Sequence, residues 1–259
     1  MTDYQIFTAC FPELIIDEGN FNALAHGENV CVFRAEGGFA TVKGERIELL
    51  CVAPEHQHKG VGASLLKQCE EHISKNGGKV VLSGNMFPGA ALSGADFFRK
   101  HGYSLGDVTY NEMSLELADF NAPQYDAPAD AQFCFYSGSI DKLRSAVAEV
   151  DDDWAQYFNE DGMFYVCLVG DEIASFCIVD EDVRCLLSDG KRIGSVGCVG
   201  TVPKFREKGL GLHMVALASE HLKNVGCDRV FIHYTHIDRW YAKLGARTFL
   251  RFVTAERTL

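Results

Sequence analysis

The chain is short of positive charge. Its 259 residues carry 24 Lys and Arg against 36 Asp and Glu, a net charge of −12. A surface of that sign repels phosphate backbones and anionic lipid, which excludes nucleic acid and membrane surfaces as general partners. It is compatible with a cationic partner such as an amine or a basic peptide. Paired cysteines are also lacking: none of the ten forms a C-x-x-C, so zinc or thioredoxin-like chemistry has no pattern to rest on, and no metal is expected. Most of the cysteines sit in apolar runs such as Val166-Cys167-Leu168 and read as reduced core thiols. No run of about 20 apolar residues is present, so no spanning helix is expected. The N-terminus has Asp3 and no basic stretch before an apolar run, unlike a signal peptide, and a cytoplasmic location is the expectation.

What is present is a chain 47% hydrophobic, enough for real cores and long enough for two modest domains. An internal duplication organises it. Leu49-Leu50-Cys51-Val52-Ala53-Pro54-Glu55-His56-Gln57-His58-Lys59-Gly60-Val61-Gly62 has a counterpart in Cys198-Val199-Gly200-Thr201-Val202-Pro203-Lys204-Phe205-Arg206-Glu207-Lys208-Gly209-Leu210-Gly211. Pro54 and Pro203 lie 149 positions apart, as do Gly60 and Gly209. Downstream, Phe97-Phe98-Arg99-Lys100-His101-Gly102 matches Trp240-Tyr241-Ala242-Lys243-Leu244-Gly245 at an offset of 143. Two motifs in one order at nearly one offset imply two domains, 1–118 and 132–259. The polar, proline-containing stretch 119–131 reads as a linker.

Each half reads as mixed α/β. In the first, Arg46–Val52 is a strand, Pro54–Lys59 a turn, and Val61, Leu65, Leu66, Cys69 and Ile73 mark a helix that Asn76-Gly77-Gly78 stops. Lys79–Ser83 then reads as a strand and Ala95–His101 as a helix. In the second, strands are expected at 134–136, 164–169, 174–179, 193–202, 229–234 and 249–254, and helices at 140–157, from Leu210 to Gly226, and at 237–244.

The strand, proline, turn, Gly-x-Gly, helix pattern has a physical use. Glycines let backbone approach a ligand, and the following helix aims unpaired N–H groups and a positive dipole end at it. Lys204, Arg206 and Lys208 make a basic island at the second loop, and His56, His58 and Lys59 a weaker one at the first. A dinucleotide-binding turn is excluded by the missing third glycine, and a Walker A loop by the missing Gly-Lys-[Ser/Thr] ending.

These two segments resemble the acyl-CoA-binding motif of the GNAT superfamily of N-acyltransferases, and the downstream pair resembles that family's Tyr-x-x-x-Gly helix. The resemblance implies two tandem domains, each a mixed, mostly antiparallel sheet splayed at a parallel strand pair and flanked by helices. It implies acetyl-CoA as co-substrate, its pantetheine along Leu50–Val52 or Val199–Thr201 and its pyrophosphate on the amides of Gln57–Ala63 or Arg206–Leu212. It further implies a tyrosine that protonates the leaving thiolate. That position is Tyr241 in the second half but Phe98 in the first.

Transfer also needs a base for the amine. Strand 193–202 carries no carboxylate, and His233 on the neighbouring strand or His236 after it could accept the proton in the second half; in the first, Glu48 lies on the strand with the parity of Leu50 and Val52. Asp152, Asp153 and Trp154 are candidates for holding a cationic acceptor, or form a solvated helix end. Met86–Gly89 is expected to be a turn at the groove. The expected function is transfer of acetyl to a primary amine of a small molecule by direct attack in a ternary complex; the alternative is a non-catalytic acyl-CoA sensor.

Overall fold

A computed structural model of the protein describes residues 1–12, 16–83, 92–183 and 190–259. The turn expected at Met86–Gly89 and Cys185 lie outside these. The chain forms two compact units.

The first unit begins with α1 (Asp3–Cys10) and α2 (Glu18–Ala25), which the sequence pattern did not announce. Thr2 caps α1 through a reciprocal bond with Gln5, and Asp17 caps α2 at Asn20, so both starts are fixed by short polar side chains. Strands β1 (Cys31–Ala35), β2 (Gly38–Lys43) and β3 (Arg46–Val52) form an antiparallel meander. A 3₁₀ turn at Pro54–His56 leads into α3 (Val61–Lys75), then β4 (Val80–Ser83), α4 (Leu92–Lys100) and β5 (Ser104–Glu116). The buried face of α3 is Leu65, Leu66, Cys69 and Ile73, the spacing of one helical stripe, and it packs with Val42, Ile47 and Val81 of the sheet. Past Asn76, Gly77 turns left-handed and Gly78 N–H returns to Ile73 O at 3.0 Å, closing the helix as the sequence expectation had it.

The second unit contains the end of β5 from Glu112, then β6 (Ala131–Phe135), α5 (Ile140–Ala148), β7 (Phe164–Val169), β8 (Glu172–Asp180), β9 (Ile193–Thr201), α6 (Leu210–Asn224), β10 (Arg229–Thr235) and α7 (Asp238–Tyr241). Strands β6 to β9 run antiparallel in sequence, and β10 joins β9 in parallel. The helix expected over 140–157 is two elements. It stops after Ala148, and a 3₁₀ segment, Asp152–Tyr157, restarts where the extended Asp151 accepts Asp153 N–H on its side chain at 3.0 Å. Residues of the linker stretch are also partly anchored: Phe120 is buried in this unit's core with Leu117 and Met113.

The last strand, β11 (Arg247–Thr258), is longer than the expected 249–254, and from Phe249 onward it belongs to the first unit. There it pairs antiparallel with β4, Ala255 opposite Ser83 and Thr258 opposite Val80. The sequence division at 119–131 keeps this strand with the second half; the compact units do not follow that division at either β5 or β11. Each unit is a mixed, mostly antiparallel sheet with one parallel pair and helices packed on it. Among the described residues no helix is long and apolar enough to cross a membrane.

Candidate active site

Each unit has a parallel strand pair, and that of the second unit opens. In the first, β3 and β4 pair at Arg46–Leu82 and Ile47–Ser83, up to the last described residue of β4. In the second, β9 and β10 pair from Ile193–Arg229 to Ser195–Phe231 and then part. Splaying frees one edge of backbone N–H and C=O groups, which need a partner if they are to be shielded from water.

The first strand of each parallel pair is bulged. Glu48 is the extra residue between Ile47 and Leu49 opposite Val42 and Thr41, and the Leu49 N–H is taken by the buried Thr41 hydroxyl at 3.1 Å. In β9 the register shifts opposite Phe176 and Ile178, and Cys198 there adopts φ 45°. A non-glycine residue in that region stores strain of order 1 kcal/mol, a cost found most often at functional sites.

The loops that follow are built alike. His58 and Glu207 have φ 58° and 66°, and Gly60 and Gly209 have φ 85° and 72°. This alternation curls successive N–H groups inward. The first helical bonds run from Ser64 to Gly60 at 3.0 Å and from His213 to Gly209 at 3.1 Å, leaving the N–H groups of Val61–Ala63 and Leu210–Leu212 without a helical acceptor. The first residue of each loop acts structurally: Gln57 Nε2 donates to Val52 O, and Arg206 Nε to Thr201 O, both at 3.0 Å. Arg206 is thus tied along one edge of its guanidinium. Lys204 pairs with Glu172, and Lys204 and Lys208 flank the Phe205 ring. Of the basic island, Lys204 has a carboxylate partner, while among the described residues Arg206 and Lys208 contact a carbonyl and a ring face.

The second glycine of each motif permits close packing. A Cβ on Gly62 would lie 3.2 Å from the Phe97 ring, and one on Gly211 would lie 2.7 Å from Thr201 Oγ1 and 3.5 Å from the Trp240 ring. In the first unit a cavity of about 570 Å³ opens beside this point, within the size range of ligand sites. Leu50, Val52, Gln57, His58, Gly60 and Ala63 form one wall. Phe97, Phe98, Lys100 and His101 of the later helix and Cys10 of α1 form the other. His101 fixes its ring by bonding Phe97 O through Nδ1 at 2.8 Å, so Nε2 is its second polar atom. Lys59 is exposed, Val61 packs over Gly38, and Cys51 turns into the core at 1% exposure. Glu48 is not in the cavity wall. It is half-buried, and burial raises its carboxyl above the ordinary value against the pull of Arg46 and Lys43.

In the second unit the corresponding positions are more closely packed: Leu210 and Leu212 are buried, and Ser175 Oγ donates to Gly200 O at 2.6 Å and meets Thr201 Oγ1 at 3.0 Å. Val199 is half-buried beside them. Tyr241 is buried in the core with Trp240 edge-on to its ring, and burial pushes its phenol well above the ordinary range, with smaller contributions from Cys177 and Cys198. The phenol therefore stays protonated and lies near enough to the β9 bulge to feel it. Phe98, its counterpart, is buried between Phe97 and Tyr103.

His233 has a partner that sequence reasoning missed. Its Nδ1 lies 2.8 Å from a carboxylate oxygen of Glu112, whose side chain is 2% exposed, while the His233 side chain is 48% exposed. A carboxylate only accepts, so Nδ1 donates its hydrogen to Glu112 and Nε2 is the ring's second polar atom. The Tyr234 N–H also donates to Glu112, at 3.2 Å. Alternation in Glu112-Met113-Ser114-Leu115-Glu116 was the available signal, a carboxylate among apolar strand positions. Asp152 and Asp153 stand exposed on the 3₁₀ segment while Trp154 packs partly into the core. The neighbouring Asp151 acts on the bulge: its charge adds to burial in pushing the Cys198 thiol up to about 11.

Comparisons with known proteins agree with this geometry. Residues 18–105 match the acetyltransferase (GNAT) domain model and residues 129–246 the acetyltransferase (GNAT) family model. No curated protein matches the chain. Among solved structures, a GCN5-related glucosamine N-acetyltransferase region of a fungal multi-domain GH3 β-N-acetylglucosaminidase superposes with TM-score 0.69 at 18% identity, over 98% of this chain and 36% of that one. A GCN5-related N-acetyltransferase from Sphaerobacter thermophilus gives 0.66 at 17% identity, covering 98% and 90% of the two chains. A tandem GNAT protein from the clavulanic acid biosynthesis pathway gives 0.59 at 13%, covering 99% and 94%. Identities this low speak to fold, and the chain spans about a third of the fungal protein's length. With two family matches laid end to end over two glycine-looped units, each with a parallel strand pair, the chain belongs to the GNAT acetyltransferase family, which uses acyl-CoA as co-substrate, and carries two such domains in tandem.

Proposed function

We propose that the protein is an N-acetyltransferase that moves acetyl from acetyl-CoA to a primary amine of a small molecule by direct attack in a ternary complex, with chemistry in the second unit. The observation that carries this is the protonated, buried Tyr241 beside the bulged β9, set against Phe98 in the first unit. In this reading His233 Nε2, directly or through water, takes the amine proton while Glu112 holds the ring. The amine attacks the thioester carbonyl, and Tyr241 protonates the departing thiolate. Asp151, Asp152 and Asp153 give the approach a negative field suited to a cationic acceptor. Pantetheine pairs with Val199–Thr201, and the pyrophosphate sits on the Arg206–Leu212 amides.

A second reading is favoured by the cavity itself, which lies in the unit with Phe98. There the first unit holds acyl-CoA without turnover, as a sensor or a structural ligand site. Titration calorimetry with acetyl-CoA tests both. Two binding events are expected, the first weakened about tenfold or more by Lys59→Glu and the second by Lys208→Glu, since each reversal puts a negative charge at an anion-binding helix start. Thiol release over a panel of amines then separates enzyme from sensor: binding without turnover favours the sensor, and absence of any binding ends both readings.

A further inference from the structure

The two copies of the later helix motif differ at two positions that bear on proton transfer. Tyr241 and Leu244 of the second unit stand against Phe98 and His101 of the first, both at the offset of 143. Each copy thus holds one group able to move a proton, and the two places are neighbours one helical turn apart. Leu244 is buried in its core, whereas His101 is half-buried and lines the first unit's cavity beside Phe98. We infer that the first unit is a second acyl-transfer site, in which His101 alone carries the proton and the acceptor is an aromatic amine. The inference rests on acyl-CoA occupying this cavity, and it departs from the reading in which that occupant is not turned over.

The ring of His101 is held for this task. Its Nδ1 lies 2.8 Å from Phe97 O, and a carbonyl only accepts, so Nδ1 donates its hydrogen there. The Phe97 ring packs against it at 4.4 Å between centroids. Nε2 has no partner among the described residues and is not closed off from solvent. In the neutral ring it is the acceptor. Other polar groups of the wall are less suited. The Cys10 S–H goes to Val52 O, Asp96 pairs with Arg99, and Lys100 offers donors only. His58 is exposed on the glycine loop, and no hydrogen bond fixes its ring among the described residues.

The step balances with one proton. The amine nitrogen attacks the thioester carbonyl carbon, an N–C bond forms, and Nε2 takes one N–H proton. The C–S bond then breaks, sulfur leaves with the electron pair, and Nε2 returns the proton to it. Amide and CoA thiol result, and the ring ends as it began. Such a shuttle has no place for the extra proton of an alkylammonium. An aromatic amine is neutral near pH 7 and brings none. Phe11, Phe97 and Phe98 line the cavity, and ring edges and faces suit a second aromatic group.

The test is thiol release from acetyl-CoA by the full chain with 4-methylaniline, set beside n-butylamine, together with calorimetry. Wild type should turn over 4-methylaniline. His101→Asn, whose amide can still donate to Phe97 O, should lower that kcat about a hundredfold, while the acetyl-CoA event that Lys59→Glu weakens stays within about twofold. If His101→Asn does not fold by circular dichroism, His101→Gln decides, since it too lacks a titratable nitrogen. Unchanged 4-methylaniline turnover overturns the shuttle, as does an equal fall for both amines, which marks a structural loss. A chain that shows the first-unit binding event but no 4-methylaniline turnover also overturns it, and leaves the acyl-CoA reading standing. Absence of that event removes the acyl-CoA reading of the cavity and the shuttle with it.

Discussion

Tyr241 and Phe98 occupy matching places in two copies of one motif, and both are buried, so packing alone does not distinguish them. The hydroxyl does. Tyr241→Phe keeps the ring and removes the proton source: turnover should fall about a hundredfold or more while acetyl-CoA affinity stays within about twofold, read from steady-state kinetics and calorimetry. Equal turnover would remove Tyr241 from the mechanism. Glu112→Gln keeps the size of the side chain, but its amide no longer forces the hydrogen onto His233 Nδ1. Turnover should drop about tenfold with acetyl-CoA affinity unchanged, where a purely structural role would lower Tm and weaken both together. Glu48 carries a different expectation. Its folded carboxyl is raised by burial, so its contribution to stability is present at low pH and is lost as pH rises through the folded value. Glu48→Gln should therefore raise Tm at neutral pH and leave it unchanged in acid; a neutral-pH loss of Tm would mean the carboxylate is paired. Tyr241 was nameable from the spacing of its motif and His233 from its place on a strand. The contact of His233 with Glu112 was not, because it joins strand neighbours 121 residues apart.

At the scale of elements, the two strand–turn–helix segments were readable almost to the residue. Their shape is dictated locally, by a proline opening a 3₁₀ turn, a left-handed glycine before the helix, and an apolar stripe after it. What single-chain periodicity did not show were the bulges at Glu48 and Cys198, since a bulge is a mismatch between two strands and has no signature in one. The broken helix over 140–157 was missed for a related reason: Asp151 works as a cap only once the chain has left helical geometry. The second glycine of each motif offers a test at this scale. Gly211→Ala would force its methyl against Thr201 and the Trp240 ring, so a loss of about 1–3 kcal/mol is expected by chemical denaturation. Gly62→Ala meets the Phe97 ring at 3.2 Å and Val52 at an ordinary 3.7 Å and should cost less. The reverse order would show that the second loop yields more readily than its packing implies.

For the molecule as a whole, two domains were legible from the paired offsets, but their composition was not. Sequence order assigns each strand to the half it is written in, whereas hydrogen bonding assigned the last strand to the first unit. From Phe249 onward β11 supplies that unit with Ala255 in its core, a run of pairings to β4, and Arg257, whose guanidinium bonds Glu70 at 2.9 Å and His101 O at 3.2 Å. Glu70 in turn accepts the Tyr103 hydroxyl at 3.0 Å, so one arginine near the C-terminus anchors the helix that walls the cavity. Ending the chain after Thr248 removes all of these at once and leaves β4 with an unpaired edge. Hydrogen exchange should then show early loss of protection in β4 and α4, and calorimetry loss of the first acetyl-CoA event, while α6 and β8 keep their protection. Arg257→Ala is the milder form: it leaves β4 paired but frees Glu70 and His101, and should weaken the first event several-fold without exposing the sheet. If the truncated chain instead lost protection first in α6 and β8, the strand would belong to the second unit, as its place in the sequence suggests.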